Sequence, residues 1–142
     1  MNTVISLINI SEKEILLSYL KTYLLEIEQD TNYAYLDSYW TDVNRIPLKL
    51  TNGKDWLGFA LINDYTIIPS NTISIAEFYI LPEYRNQRLG SYFAEQIFKT
   101  YHGCWEIRQQ LHNTRATVFW RSILKNNVEV EMNDEIVQSF TN

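Results

Sequence analysis

The stretch of sequence that decides the fold is TISIAEFYILPEYRNQRLGS, residues 72–91. Residues 72–81 form the longest and most apolar run of β-branched and aromatic residues, which predicts a buried strand. Pro82 cannot donate a hydrogen bond to a sheet and should end this strand. Apolar residues then recur at helical spacing, which predicts an amphipathic helix that Gly103 ends. The apolar face of this helix comprises Leu89, Tyr92, Phe93, Ile97 and Tyr101.

The turn between this strand and this helix has the features of an anion-binding loop. The first N–H groups of a helix lack partners, and the helix dipole is positive at that end. Arg85 and Arg88 add positive charge, and Gly90 allows a ligand to approach the backbone closely. A pyrophosphate would suit such a loop. Taken alone, however, the loop favours a plain strand–turn–helix with a solvated basic turn.

Further strands and helices are predicted on both sides of this stretch. A capping box of Ser11 and Glu14 should open a first helix that fades near Asp30. Residues 32–44 are aromatic but irregular, which indicates a loop or a broken helix. Further strands are predicted at residues 4–10, 46–51, 55–62, 105–109, 128–132 and 136–140. Hairpin strands followed by a β-α-β crossover predict a mixed α/β (α+β) sheet rather than a doubly wound one.

Length and composition limit the class of protein. The 142 residues suit a single domain, residues 1–142. The net charge of -5 disfavours a nucleic-acid-binding surface, which needs an excess of basic residues. Cys104 is the only cysteine, and His102 and His112 lack zinc-site spacing, so neither a disulfide nor a metal site is expected. No signal peptide or membrane span is apparent, and we expect a cytoplasmic protein with no membrane partner.

The central stretch resembles a motif of a known enzyme family. Residues 76–90, AEFYILPEYRNQRLG, are similar to the acetyl-CoA motif of the GNAT superfamily of N-acetyltransferases, whose loop reads Arg/Gln-x-x-Gly-x-Gly/Ala. Arg85 and Gly90 match its first and last positions. Arg88 replaces the middle glycine, and we expect the loop to tolerate it if Arg88 keeps a negative φ.

Other segments resemble the same family in the same order. Residues 105–109, WEIRQ, are similar to the next strand of a bacterial subgroup of predicted acetyltransferases, as are residues 35–40, YLDSYW, and 56–61, WLGFAL. Residues 113–120, NTRATVFW, resemble the later Asn-x-x-Ala-x-x-aromatic-Tyr helix. The resemblance covers most of the chain. It implies a single-domain GNAT-like acyl-CoA N-acyltransferase fold, a mixed central sheet flanked by helices.

The resemblance also implies an activity and a cofactor. The family transfers acetyl from acetyl-CoA to a primary amine, by direct attack in a ternary complex and without a metal. The cofactor-binding residues that it implies are Phe78, Ile80, Arg85, Asn86, Gln87, Arg88, Leu89, Gly90, Ser91 and Asn113. Backbone groups of Phe78 and Ile80 would contact the pantetheine arm in a gap between splayed strands, although both side chains also suit a core. Asn113 is equally suited to a helix N-cap, for which Thr114 is the alternative residue.

Glu77 is the candidate catalytic base. By period-two alternation it shares a strand face with Ile73, Ile75, Tyr79 and Leu81. A lone carboxylate on such a face must be paired, hydrogen-bonded or beside a cleft. The family resemblance implies that it takes a proton from the acceptor amine, and partial burial would raise its pKa toward that of a useful base. A structural salt bridge to Arg108 is an equal alternative.

Several other residues have both a chemical and a structural interpretation. Trp120 occupies the position where, by the resemblance, many relatives have a tyrosine that protonates the departing thiolate. We interpret Trp120 as a core residue of its helix. Either Tyr79, Tyr92 or Tyr101 replaces that acid, or the thiolate leaves unprotonated. Glu106 is a second candidate base but better suits a surface or ion-paired strand carboxylate. Cys104 is better explained as a small buried strand residue than as a nucleophile.

The acceptor site is predicted between residues 31–45, the C-terminal hairpin and the end of the Glu77 strand. Its candidate residues are Tyr33, Tyr35, Asp37, Tyr39, Trp40 and Asp42. Aromatic rings with carboxylates suit a cationic amine, either a small molecule or a peptide, although the same segment could be a lid that only packs. The rival function is a non-catalytic acyl-CoA-binding or protein-interaction module. A homodimer is the default assembly.

Overall fold

The computed structural model describes residues 2–142, and its centre is one seven-stranded sheet in the order β1-β2-β3-β4-β5-β7-β6. The helices and strands are β1 (Val4–Leu7), α1 (Lys13–Glu26), β2 (Ile46–Thr51), β3 (Trp56–Asn63), β4 (Ile73–Ile80), α2 (Leu89–Thr100), β5 (Cys104–Gln110), α3 (Thr114–Ile123), β6 (Val128–Met132) and β7 (Glu135–Thr141). β4 and β5 pair in parallel, and the other pairs are antiparallel. The mixed sheet and the order of elements confirm the predicted fold class.

The two faces of the sheet carry separate cores. One core packs α2 and α3 against the sheet through large residues such as Phe93, Trp105 and Trp120. The other packs α1 and the 3-10 turn Leu36–Trp40 against the opposite face, around Leu20 and Phe59. Residues 32–44 therefore form the broken helical segment that their irregular pattern predicts.

The ends of two helices differ from the sequence prediction. The capping box at the start of α1 consists of Asn9 and Glu12, not Ser11 and Glu14: the Asn9 side chain accepts from the Ser11 N–H at 2.9 Å, and Glu12 accepts from the Asn9 N–H at 3.0 Å. Asn9, two residues before Ser11, caps the 3-10 turn Ile10–Glu12 that leads into α1, because asparagine is an equally good acceptor. α1 also ends earlier than predicted, at Glu26.

Gly103 does not end α2 as predicted. The helix stops at Thr100, and Tyr101 is already extended, with φ -117° and ψ 132°. Gly103 is needed instead for close packing, because a Cβ atom there would lie 2.8 Å from Thr72 Oγ1, at the start of the crossover from α2 to β5.

A β-bulge in β4 changes which side chains share a face. Leu61 pairs with Glu77 and Ile62 with Ile75, so Ala76 is the extra residue. Ile73 and Ile75 therefore pack on the α2–α3 side with Phe78 and Ile80. Glu77 lies on the α1 side with Tyr79 and Leu81, so the predicted face was wrong for Ile73 and Ile75. Simple alternation cannot reveal a bulge.

Candidate active site

β4 and β5 separate after a short parallel contact. Ile73–Ile75 pairs with Trp105–Ile107, after which β4 stays on β3 and β5 stays on β7. The resulting gap is part of a cleft of about 680 Å³. The cleft is bounded by the end of α1, the outer half of β4, the loop before α2, the end of β5 and the start of α3.

The backbone of β4 offers hydrogen-bonding groups to this gap. Leu81 N–H donates to Leu57 O at 2.9 Å, which fixes the alternation of the β3–β4 ladder. In that alternation the peptide groups of Phe78 and Ile80 point away from β3, into the gap. The Ile80 carbonyl accepts from Arg85 Nε at 3.0 Å.

The loop between β4 and α2 presents a row of unpaired N–H groups. Arg85 N–H donates to Pro82 O at 3.3 Å and Tyr92 N–H to Arg88 O at 3.1 Å. Between them, the N–H groups of residues 86–91 have no acceptor anywhere in residues 2–142. These groups and the positive end of the α2 dipole form a cradle for an anion.

The conformation of Arg88 corrects the expectation of a negative φ. Its φ is 61° and its ψ is 18°, which is left-handed, and Asn86 also has a positive φ of 63°. The loop therefore follows a path that favours glycine at residue 88, and the arginine adopts it at a cost of about 1 kcal/mol.

The basic groups near the loop differ in their surroundings. Arg85 forms an ion pair with Glu26 at 2.8 Å and lies over the Tyr79 ring, so it fastens the loop to α1. Arg88 forms no ion pair within the part of the chain that the structure describes. Arg115, in the first turn of α3, is largely exposed and lies 4.0 Å from Glu26. Arg88 and Arg115 are thus the cations best placed to meet an anion.

Gly90 is required by packing as well as by its place in the loop. A Cβ atom at this position would lie 3.0 Å from Phe119 Cε1 and 3.7 Å from Ile80 Cγ1. The glycine thus lets the start of α2 approach both α3 and β4, which brings the cradle to the end of the gap.

Glu77 lies in the cleft and is held by two phenols. The Tyr23 hydroxyl donates to its Oε1 at 3.0 Å, and the Tyr33 hydroxyl donates to its Oε2 at 2.9 Å. Burial raises the pKa of Glu77 to about 7, against the lowering effects of Tyr33, Tyr23 and the Arg108 charge. A carboxylate with a pKa near neutrality is suited to accept a proton.

The predicted Glu77–Arg108 salt bridge is wrong, because Arg108 pairs with Glu106 at 3.1 Å. Glu106 is completely buried and accepts from the N–H groups of Ile67 and Ile68, each at 2.9 Å. It therefore holds the loop before β4 rather than facing the cleft, which confirms the ion-paired interpretation over the catalytic one.

The start of α3 contributes to the wall of the cleft. Asn113 caps the helix by accepting from the Ala116 N–H at 3.2 Å, and it also lines the cleft. Trp120 is buried in the core behind it, as predicted. Of the tyrosines considered as replacement acids, Tyr79 lines the cleft, whereas Tyr92 and Tyr101 do not. Cys104 is only partly buried, at the start of β5.

The structure brings one of the six candidate acceptor residues, Tyr33, into the cleft. Asp37 pairs with Lys13, and Asp42 caps a turn by accepting from the Asn44 N–H at 2.9 Å. The other three have packing contacts: Tyr39 accepts from Asn63, Trp40 donates to the Ile8 carbonyl, and Tyr35 lies against Arg45.

Among the cleft residues that sequence reasoning missed are Tyr23, Glu26, Tyr84 and Arg115. The local sequence around Tyr23 shows only a tyrosine within α1, because its contact with Glu77 spans the whole β2–β3 hairpin. The one available signal was for Arg115, a basic residue in the first turn of a helix that begins at a candidate cofactor ligand.

A profile described as the Acetyltransferase (GNAT) family matches residues 13–124, which include the cradle, Glu77 and the cap of α3. The chain belongs to this family. GNAT enzymes use acetyl-CoA, and the match confirms the resemblance found in the central stretch. A search of curated protein sequences gives no significant match.

Solved structures share this GNAT fold at low sequence identity. An acetyltransferase from Thermus thermophilus matches with a TM-score of 0.78 and 12% identity, covering 100% of this chain and 97% of the other. The GNAT domain of S. lividans PAT matches with a TM-score of 0.75 and 12% identity, over 97% and 89% of the two chains. Spermidine N-acetyltransferase from Vibrio cholerae, in complex with CoA and spermine, matches with a TM-score of 0.70 and 9% identity, over 97% and 93%.

Two further features concern the described residues as a whole. No helix in residues 2–142 has the length and apolar character needed to cross a membrane. Within the same residues, no group of three His, Cys, Asp or Glu side chains is arranged to hold a metal ion.

Proposed function

We propose that this GNAT protein is an acetyl-CoA-dependent N-acetyltransferase that acts on a primary amine. One observation carries the proposal. A single cleft contains the N–H groups of residues 86–91, which have no acceptor in the described part of the chain, and, elsewhere in its wall, a carboxylate with a pKa of about 7. The first feature suits a pyrophosphate, and the second suits an amine that must lose a proton.

The cofactor would be held by the loop and by β4. The N–H groups of residues 86–91 would receive the pyrophosphate, with Arg88 and Arg115 adding charge. The peptide groups of Phe78 and Ile80 face the gap, where an extended arm with amide groups could pair with them. Arg85 would support the loop from behind through Glu26. Bound there, acetyl-CoA would supply a thioester that an amine can attack.

Glu77 would act as the general base. An amine in the cleft arrives mostly as an ammonium ion, which has to lose a proton before it can attack. Glu77 is ionised above pH 7 and would take that proton directly or through a water molecule. Holding the amine and the thioester in one cleft supplies much of the rate by proximity, so direct transfer needs no acyl-enzyme.

The departing thiolate would leave without an acid from the protein. Burial raises the pKa of Tyr23, Tyr33 and Tyr79 further above that of a thiol, so these phenols are poor proton donors to a departing thiolate. Trp120 has an indole N–H, which is a donor but not a useful acid. A thiol pKa near ~8.5 makes the thiolate a fair leaving group by itself.

The acceptor would be a cationic amine, either a small molecule or a peptide. Carboxylates of Glu26, Asp30, Glu77 and Glu135 line the cleft, and Tyr33 adds an aromatic ring. Negative charge in a partly enclosed cleft attracts an ammonium ion and disfavours an anionic acceptor. The V. cholerae relative, crystallised with CoA and spermine, shows that the fold can serve such a substrate.

The test is an amine panel with acetyl-CoA and detection of free thiol. Diamines, polyamines, lysine-containing peptides and neutral or anionic amines would be compared, with Glu77→Gln as the matched variant. We expect turnover with at least one cationic amine and a loss of roughly a hundredfold in kcat/KM for the variant. Binding of acetyl-CoA without acetylation of any amine in the panel would favour the non-catalytic module instead.

A further inference from the structure

Both oxygens of Glu77 are occupied by phenols that come from different segments. Tyr23, in α1, donates to Oε1 at 3.0 Å, and Tyr33, in the segment after α1, donates to Oε2 at 2.9 Å. No Lys, Arg or His in residues 2–142 forms a salt bridge with this carboxylate. The two hydroxyls are therefore its direct protein partners.

Tyr23 is fixed in its orientation. Its ring packs edge-on against Phe59 at 5.6 Å between centroids and lies 5.3 Å from the Tyr79 ring. A phenol has one hydrogen to donate, and that of Tyr23 goes to Glu77 Oε1.

Tyr33 links the carboxylate to the segment after α1. It is partly exposed in the cleft, and its hydroxyl also interacts with Tyr39, which is buried and accepts from Asn63 Nδ2 at 3.1 Å. Residues 33 and 39 thus connect Glu77 to β3 through one line of polar contacts. A segment held in this way places Tyr33 where an acceptor amine would enter.

These phenols are donors rather than acids. Burial, and then the charge of Glu77, raises the pKa of both Tyr23 and Tyr33, so each keeps its proton at neutral pH. If the two rings only packed in the core, their hydroxyls could donate to any nearby hydrogen-bond acceptor. Instead each hydroxyl donates to a different oxygen of one carboxylate, which fixes the plane of that group.

We propose that Tyr23 and Tyr33 are positioning residues for Glu77, which hold its two oxygens in place and favour its ionised form. This inference rests on the proposed function, because it assigns the base its supporting residues. Hydrogen bonds to a carboxylate stabilise the charged form and oppose the effect of burial. Without them, Glu77 would stay protonated at a higher pH and would be a base over a narrower range.

The charged and titratable groups that face this site are few. They are Glu26 and Tyr23 from α1, Tyr33 and Tyr39 from the following segment, Tyr79 from β4 and Arg108 from β5. Arg108 favours the ionised Glu77, and β3 contributes the uncharged Phe59 ring beside Tyr23. A shift seen on removing one phenol can therefore be assigned to the lost hydrogen bond.

The experiment uses Tyr23→Phe and Tyr33→Phe, which keep the ring and remove the hydroxyl. Tyr19→Phe is the matched control, since Tyr19 is on the same helix and packs on Trp56, away from Glu77. The pKa of Glu77 is read from its carboxyl infrared band, identified by its absence in Glu77→Gln. This readout needs neither acetyl-CoA nor an amine. The acidic limb of kcat/KM against pH provides a second readout.

We expect each Tyr→Phe change to raise the pKa of Glu77 by roughly half a unit to one unit. The acidic limb should move by the same amount. At a pH below that pKa, kcat/KM of the variant should be roughly three- to tenfold lower than that of the wild type, and above pH 9 the difference should be smaller. Tyr19→Phe should leave both readouts unchanged. Tyr33 is partly exposed, so its variant carries the test alone if Tyr23→Phe does not fold.

An unchanged carboxyl titration in folded Tyr33→Phe would overturn the inference, whatever the activity. A loss of activity with no change in the pKa of Glu77 or in the acidic limb of kcat/KM would likewise show that the two phenols contribute only packing. Failure of the proposed function looks different: Glu77→Gln would then retain full acetyl transfer, while the infrared titration would still report on the two tyrosines.

Discussion

At the scale of single residues, Arg88 combines two opposing properties. Its left-handed backbone costs about 1 kcal/mol, yet it puts a cation, without an ion pair among residues 2–142, at the mouth of the anion cradle. The sequence showed the departure from glycine at this position but not its backbone conformation, because φ is set by the loop as a whole. Strain retained beside a binding loop is typical of a functional site.

Replacing Arg88 by glycine should separate the two properties. Arg88→Gly removes the strain, partly offset by the greater flexibility of glycine in the unfolded chain, so we expect the free energy of unfolding to rise by at most about 1 kcal/mol. Affinity for acetyl-CoA should fall, because the positive charge is lost. Denaturant unfolding and calorimetry measure the two effects, with Arg88→Lys as the control that keeps charge and strain. A less stable glycine variant would mean that side-chain contacts of Arg88 outweigh the strain.

Glu77 should make stability depend on pH. Its pKa is about 7 in the folded protein and 4.5 in the unfolded chain, so the folded state holds a proton that the unfolded state has lost between these values. The free energy of unfolding should therefore fall as pH rises from about 4.5 to about 7, by up to ~3 kcal/mol, and then level off.

The comparison with Glu77→Gln isolates this contribution. Carboxyls such as Glu12 and Glu129, whose pKa is lowered by Lys49 and Arg121, titrate equally in both proteins. The difference in unfolding free energy between the two proteins, measured in urea from pH 4.5 to pH 8, should carry the whole effect. Parallel curves for both proteins would contradict the raised pKa.

The sequence singled out Glu77 but not its partners. A lone carboxylate in an apolar strand is visible in the strand itself, whereas Tyr23 and Tyr33 approach it from distant positions. Period-two alternation also gave the wrong neighbours, because the extra residue at Ala76 reverses the faces beyond it. Local patterns identify an unusual residue, and the tertiary structure identifies what surrounds it.

At the scale of elements, the site depends on how β4 leaves β5. The two strands pair over three residues and then diverge, which exposes the peptide groups of Phe78 and Ile80. Strand positions were predicted well because β2, β4 and the β6–β7 hairpin have clear turn and strand signals. Nothing in the local composition of β4 indicates the bulge or the divergence. Both follow from the register of β4 with β3 and β5, which are separate segments of the sequence.

The loop before β4 should depend on Glu106. This buried carboxylate accepts from the N–H groups of Ile67 and Ile68 and from Asn71 Nδ2, and it pairs with Arg108. Glu106→Ala would leave these donors unpaired, so we expect the free energy of unfolding to fall by about 3 kcal/mol or more. Hydrogen exchange at the amides of residues 67 and 68 should rise sharply.

The control for this change is Glu131→Ala, on the exposed face of β6. It should alter stability by less than about 0.5 kcal/mol. Equal effects of the two substitutions in urea unfolding would show that the hydrogen bonds of Glu106 contribute little.

At the scale of the whole molecule, charge is distributed unevenly around one cleft. The chain carries a net charge of -5, yet Arg88 and Arg115 lie at the cradle, while Asp30, Glu77 and Glu135 line other parts of the cleft. The order of elements and the family could be predicted from sequence, because both follow from local signals repeated along the chain. Which of the aromatic residues 33–40 reach the cleft could not, because that depends on how the segment packs on β2 and β3.

The most direct test of the central claim is calorimetric titration of the protein with acetyl-CoA. Arg88→Glu reverses a charge at the cradle, and Lys99→Glu makes the same change in the exposed last turn of α2 as the control. We predict micromolar binding by the wild type and by Lys99→Glu, and binding weakened roughly tenfold or more in Arg88→Glu. No binding of acetyl-CoA, CoA or a longer acyl-CoA to the wild type would contradict the account and show that this GNAT fold has been kept without its cofactor.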